Sequence, residues 1–301
     1  MPSPLHAPPR LPLDWSPWQP LEGAGKNAAL STRPGLYRIR RSGRHDLDYI
    51  GQTGGRGGLR ARLRMLKGVY ADAMPYRDPH TAGPALWALR RLDDIRFEVS
   101  VAEVEGPAPW RKGLEALAIA QYRQQQGRSP WVSFGRMPVG FRMSSANNTR
   151  LVTRGLRFRG GPTEDRLDCH EPGVAPAGTL EGPVEGPTWG GHAWTPWTPV
   201  TRLAATLEPG VPGLYRIRAS TQRGLVYVGE GDVSERVAAH LAKARKRGHR
   251  QATAFRALER LEVSWVLDGT WRKHQRLELE NDLLASHLLV MGGCPAAQFL
   301  G

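Results

Sequence analysis

Two stretches of this chain are nearly the same phrase: "PGLYRIRRSGRHDLDYIGQTG" from Pro34 to Gly54 and "PGLYRIRASTQRGLVYVGEG" from Pro212 to Gly231. Each carries two tyrosines at the same separation, Tyr37 and Tyr49 in the first and Tyr215 and Tyr227 in the second. A phrase written twice must build the same local structure twice, and 301 residues are enough for two domains with separate cores. The repetition starts upstream, where "WSPWQPL" at Trp15–Leu21 matches "WTPWTPV" at Trp194–Val200. Tryptophan beside proline reads as a packed cap over a small core, although such rings also stack nucleobases.

Within each phrase "GLYRIR" alternates apolar and charged residues and then turns into "DYIG" or "VYVG", the pattern of a β-hairpin. A basic helix follows in each copy. It reads "GGLRARLRMLKGVYADA" in the first and "DVSERVAAHLAKARKRG" in the second, where Asp232 or Ser234 caps the N-terminus. Next come a second helix ("GPALWALRRL", "ATAFRALERL"), a strand ("IRFEVSVAEV", "LEVSWVLD") and a leucine-rich helix around one aligned glutamate. The order β-β-α-α-β-α is thus written twice. It predicts an α+β fold of two tandem domains, each a three-stranded sheet packed with helices. The expected domains are 1–160, with an N-terminal cap and a basic extension, and 191–301. A Gly/Pro-rich linker is expected at 161–190, where many of the 25 prolines and 35 glycines gather.

Lys and Arg number 42 against 28 Asp and Glu, a formal charge of +14, which favours a polyanionic partner such as DNA. Two cysteines, Cys169 and Cys294, are too few for a zinc ribbon or a disulfide framework and fit a reducing compartment. No run approaches the roughly 20 apolar residues of a membrane span, and "MPSPLHAPPRLPLDW" lacks the form of a secretory signal. The expectation is a protein without membrane association, cytoplasmic or nucleoid-associated, and plausibly a monomer.

The hairpin phrases resemble those of the GIY-YIG nuclease family, with "GLY" standing for GIY and "YIG" or "YVG" for YIG. The likeness continues through the arginine helix and the glutamate helix, over residues 31–135 and 209–300. It implies a metal-dependent DNA endonuclease or nickase that hydrolyses phosphodiester bonds. In that family two tyrosines, an arginine and a glutamate surround the scissile phosphate, and the glutamate holds a divalent cation, Mg²⁺ or Mn²⁺. The first site would be Tyr37, Tyr49, Arg62 and Glu115, with Arg60 and Arg64 as competing arginines. The second would be Tyr215, Tyr227, Arg236, His240 and Glu280, with Glu278 as the competing glutamate. Glu115 and Glu280 are the implied metal ligands. His240 lies one turn after Arg236, where some family members have histidine, whereas the first copy has Leu66.

The chemistry asks for these residue types. In-line hydrolysis needs an oriented water, charge neutralised on the phosphate, and a hydrated cation held by as little as one carboxylate. The sequence departs from the family at a downstream asparagine. Ser133 stands near that place in the first copy and Gln298 in the second. The alternative function is therefore a non-catalytic DNA-binding or repair-scaffold protein. Arg56, Arg60, Lys67, Lys243, Arg245 and Lys246, on glycine-rich or helical segments, are the candidate phosphate contacts.

Overall fold

A computed structural model describes residues 13–78, 80–207, 209–244, 250–256 and 260–300. Arg245 and Lys246, two of the expected phosphate contacts, lie outside the described residues. In chain order the strands are β1 (Gln19–Pro20), β2 (Gly35–Arg41), β3 (Leu47–Thr53), β4 (Phe97–Glu103), β5 (Phe141–Arg142), β6 (Gly161–Pro162), β7 (Thr198–Pro199), β8 (Pro212–Ala219), β9 (Leu225–Asp232) and β10 (Leu261–Leu267). The α-helices are α1 (Gly58–Arg64), α2 (Gly83–Asp93), α3 (Ala108–Gln126), α4 (Thr149–Thr153), α5 (Leu203–Thr206), α6 (Val233–Ala244), α7 (Arg250–Arg256) and α8 (Lys273–Met291).

The fold is α+β, but its two main sheets have four strands each and not the expected three. The orders are β1-β4-β2-β3 and β7-β10-β8-β9, all antiparallel. The added strand comes from the Trp-Pro segment. Gln19 and Pro20 pair with Val99 and Glu98, and Thr198 and Pro199 pair with Val263 and Glu262. Proline has no N–H to give to a further neighbour, so this strand is short and closes the sheet edge. A side-chain clasp fixes each segment. The Ser16 hydroxyl accepts from Val101 N at 3.1 Å, and Thr195 Oγ1 accepts from Trp265 N at 3.0 Å. The tryptophans bracket strand arginines: Arg38 lies 4.6 and 4.7 Å over Trp15 and Trp18, and Arg216 lies 4.4 and 4.6 Å over Trp194 and Trp197.

Alternation along β2 and β8 sends Tyr37 and Ile39, and Tyr215 and Ile217, to one face of each sheet. On the first sheet this face is covered by Leu59, Leu63 and Leu66, which recur at helical spacing, and by the apolar side of α2. On the second it is covered by Val233, Val237 and Phe255 from α6 and α7. Of the two caps open in the sequence, Asp232 serves: its Oδ1 accepts from Glu235 N at 2.9 Å.

The chain forms two compact units that do not follow one another along the sequence. One holds the first sheet, with the described residues of 13–106 and Ser129–Pro172. The other joins α3, within Pro107–Arg128, to the second sheet and the described residues from Gly173 onward. In this second unit α3 packs on α8. Arg123 is fully buried and reaches Asp282 at 2.8 Å and Glu278 at 3.5 Å, and Asn281 Nδ2 donates to Ala116 O at 3.0 Å. Gly/Pro-rich residues are packed here too: Val184 O accepts from Arg216 Nη1 at 2.7 Å, and Trp189 Nε1 donates to Ser286 Oγ at 2.8 Å.

Candidate active site

In both hairpins the register is the same. Tyr37 faces Gly51 and Ile39 faces Tyr49, while Tyr215 faces Gly229 and Ile217 faces Tyr227. The two tyrosines of each pair therefore sit diagonally on one face, with ring centroids 6.1 Å apart in both sheets. The glycine opposite the first tyrosine has a steric cause. A Cβ on Gly51 or Gly229 would fall inside the van der Waals surface of the Tyr37 or Tyr215 hydroxyl.

At the second sheet, α6 delivers Arg236 and, one turn later, His240. Tyr215 Oη and His240 Nε2 are hydrogen-bonded at 2.9 Å, and the imidazole lies 4.3 Å from the Tyr227 ring. The Arg236 guanidinium lies close enough to both phenols to favour their ionised forms. Burial, then the charges of Arg236 and Lys243, depress His240 to about 4, so it is neutral at pH 7. Burial also raises Tyr215 and Tyr227, with Arg236 opposing in both cases, so both phenols keep their protons.

Glu280, on α8, is coupled electrostatically to both tyrosines and to Arg236. Its carboxyl is pushed up to about 8, first by burial and then by Glu230 at the end of the "YVGE" phrase, with Arg236 pulling it down. Glu230 is itself held by Arg276 Nε at 3.0 Å, one helical turn before Glu280. Glu278, the competing glutamate, faces elsewhere: Arg123 and the backbone N–H of Val174, at 2.6 Å, take its Oε2. The geometry thus gathers Tyr215, Tyr227, Arg236, His240 and Glu280 and separates Glu278 from them. Among the described residues there is no group of three or more His, Cys, Asp or Glu placed to hold a metal ion.

At the first sheet Tyr37, Tyr49 and Arg62 come together with a residue that the motif reading missed. Tyr37 Oη and His80 Nε2 are 2.6 Å apart, and the His80 ring lies 5.6 Å from Tyr49. Burial, then the charge of Arg62, lowers His80 to about 3. Leu66, the residue aligned with His240, is buried in the apolar core instead. Glu115 is half-buried on α3, in the compact unit of the second sheet. Of the competing arginines, Arg60 turns its guanidinium to the carbonyls of Ala28 and Leu30, and Arg64 Nε donates to Gly25 O at 3.3 Å.

The tail after each glutamate helix returns to the hairpin. Trp131 N and Val132 N donate to Leu47 O and Asp48 O, and Ala296 N and Ala297 N donate to Leu225 O and Val226 O. Gln298 then accepts from Val228 N at 3.2 Å, whereas the shorter Ser133 keeps a buried Oγ without a partner among the described residues. Arg56, Lys67 and Lys243 are exposed. Among the described residues no helix is long and apolar enough to cross a membrane. No family model, curated protein or solved structure matches the chain.

Proposed function

We propose that this chain is a DNA endonuclease or nickase of the GIY-YIG kind, dependent on Mg²⁺ or Mn²⁺. The observation that carries the reading is the constellation at the second sheet. Tyr215 is bonded to a buried neutral His240, Arg236 stands at both phenols, and Glu280 is coupled to the phenols and to Arg236. The formal charge of +14 supports a nucleic-acid substrate.

A divalent cation fits the donor chemistry, because Glu280 is raised in part by a second carboxylate, Glu230, a repulsion that positive charge relieves. Glu280 would hold the ion, and water would fill most of its shell, so a cage of three protein ligands is not required. When bound, the ion supplies Lewis-acid stabilisation of charge on the phosphate oxygens. The remaining work falls to the chain. Arg236 binds and neutralises the phosphate, the Tyr215 hydroxyl orients the attacking water, and neutral His240 fixes the Tyr215 hydroxyl from its buried side.

The test is nicking of supercoiled plasmid, single-stranded and branched DNA with Mg²⁺ or Mn²⁺. The unaltered chain is expected to cut both strands, and Glu280→Gln to lower double-strand cutting at least about 100-fold, leaving nicks, while binding persists. Binding without product on every substrate supports the second reading, a non-catalytic DNA-binding or repair scaffold. The observation favouring it is the Ser133 Oγ at the first sheet, buried without a partner among the described residues, where the family commonly has an asparagine.

A further inference from the structure

We infer that His80, on the loop before α2, is a positioning residue of the first sheet's site, where it holds the Tyr37 hydroxyl as a proton-accepting partner in the way His240 holds Tyr215. The inference rests on the nuclease reading and extends it to a residue outside the repeated phrases.

Two histidines from unlike places in the sequence reach the same setting. His240 comes from α6, one turn after Arg236, while His80 comes from a loop that follows α1 and its 3₁₀ extension. Each presents Nε2 to the first tyrosine of its hairpin, at 2.6 Å for His80 and 2.9 Å for His240. Each packs its ring against both tyrosines and is almost fully buried, 4% and 3% exposed. Each stands beside the helix arginine, Arg62 or Arg236. His80 is also fixed in its backbone, since its carbonyl accepts from Gly83 N at 3.0 Å as α2 begins.

A filler of apolar space would not need an imidazole. In both histidines Nδ1 is buried without a hydrogen-bond partner among the described residues, an arrangement that costs stability. What the imidazole provides in return is an uncharged nitrogen on the phenol. In the step so built, His80 Nε2 keeps accepting the Tyr37 hydroxyl proton in a hydrogen bond, the Tyr37 oxygen orients the attacking water, and that water's proton passes to bulk water. The water oxygen bonds to phosphorus. The bond from phosphorus to the leaving sugar oxygen breaks with its electron pair on that oxygen, which takes a proton from bulk water.

The experiment uses the full chain with Glu280→Gln, so that the nicking that remains reports on the first sheet's site. Adding His80→Ala is expected to lower kcat about 100-fold with KM little changed, a magnitude typical of losing a positioned proton acceptor. Added imidazole is expected to restore part of the rate, which it would not do for a residue that only fills space. Circular dichroism checks folding, and ¹⁵N NMR of the unaltered chain reads His80 directly. A neutral ring at pH 7 whose Nε2 signal moves on Tyr37→Phe is the expected result. Full-rate nicking by folded His80→Ala, or absence of nicking by the Glu280→Gln chain while the unaltered chain cuts, overturns the role of His80. A chain that cuts nothing fails the nuclease reading instead. In that case a charged His80, or one indifferent to Tyr37→Phe, overturns the pairing as well.

Discussion

Glu278 and Glu280 are two residues apart on one helix, and their surroundings set opposite expectations. Glu278 shares fully buried Arg123 with Asp282, so Glu278→Gln leaves a buried cation short of one partner. Removing one member of such a pair costs roughly 3–5 kcal/mol, and urea unfolding of the metal-free protein is expected to register a loss in that range. Glu280 behaves otherwise. Its folded-state value of about 8 lies above the ordinary 4.5, so its contribution to stability is fully present below about pH 4.5 and is lost as pH rises through about 8. Replacing it with Gln should flatten the decline of stability across that window, and an unchanged pH profile would mean that its carboxyl is not desolvated in solution.

The helices and the hairpins were legible because their signals are local. Alternation in "GLYRIR" and the leucine-rich run of the glutamate helix are each decided by near neighbours in the sequence. The fourth strand was not legible. Two residues ending in a proline carry no strand pattern, and their partner lies far along the chain, at β4 or β10. His80 was hidden for a related reason: a loop histidine has no periodic relation to Tyr37, whereas His240 advertised itself by its spacing from Arg236. Glu278 and Glu280 stand two residues apart in one leucine-rich helix, and the sequence alone does not show that Glu278 packs against Arg123. The clasp on the edge strand can be tested by Thr195→Ala, which removes the acceptor of Trp265 N and also the Cγ methyl. A loss of about 1–3 kcal/mol is expected, with faster amide exchange confined to β7 and β10. Exchange that rises evenly through the sheet would show that the segment is not separately fastened.

For the molecule as a whole, the proposed nuclease function requires an affinity for DNA that depends on salt through a subset of the basic residues. Arg56, Lys67 and Lys243 are exposed, and neutralising them is expected to reduce the slope of log affinity against log salt by up to about 0.9 for each phosphate left without its cation. Arg60 belongs to a different group, because its guanidinium is committed to Ala28 and Leu30; Arg60→Gln should loosen that loop more than it alters the slope. Fluorescence anisotropy over a salt series without divalent metal separates the cases, and equal slopes for all variants would remove this path for the DNA.

The stretch with the most prolines and glycines is where a genetic engineer would divide the chain, and the packing of α3 argues against doing so. A break at Pro172 leaves α3 on one polypeptide and its partner α8 on the other. Arg123 would then be parted from Asp282 and Ala116 from Asn281. The two products would be complementary fragments rather than independent domains, insoluble when made apart and reassembling when co-expressed. A gene with this arrangement resists fission, because splitting it at that stretch creates two dependent cistrons where one sufficed.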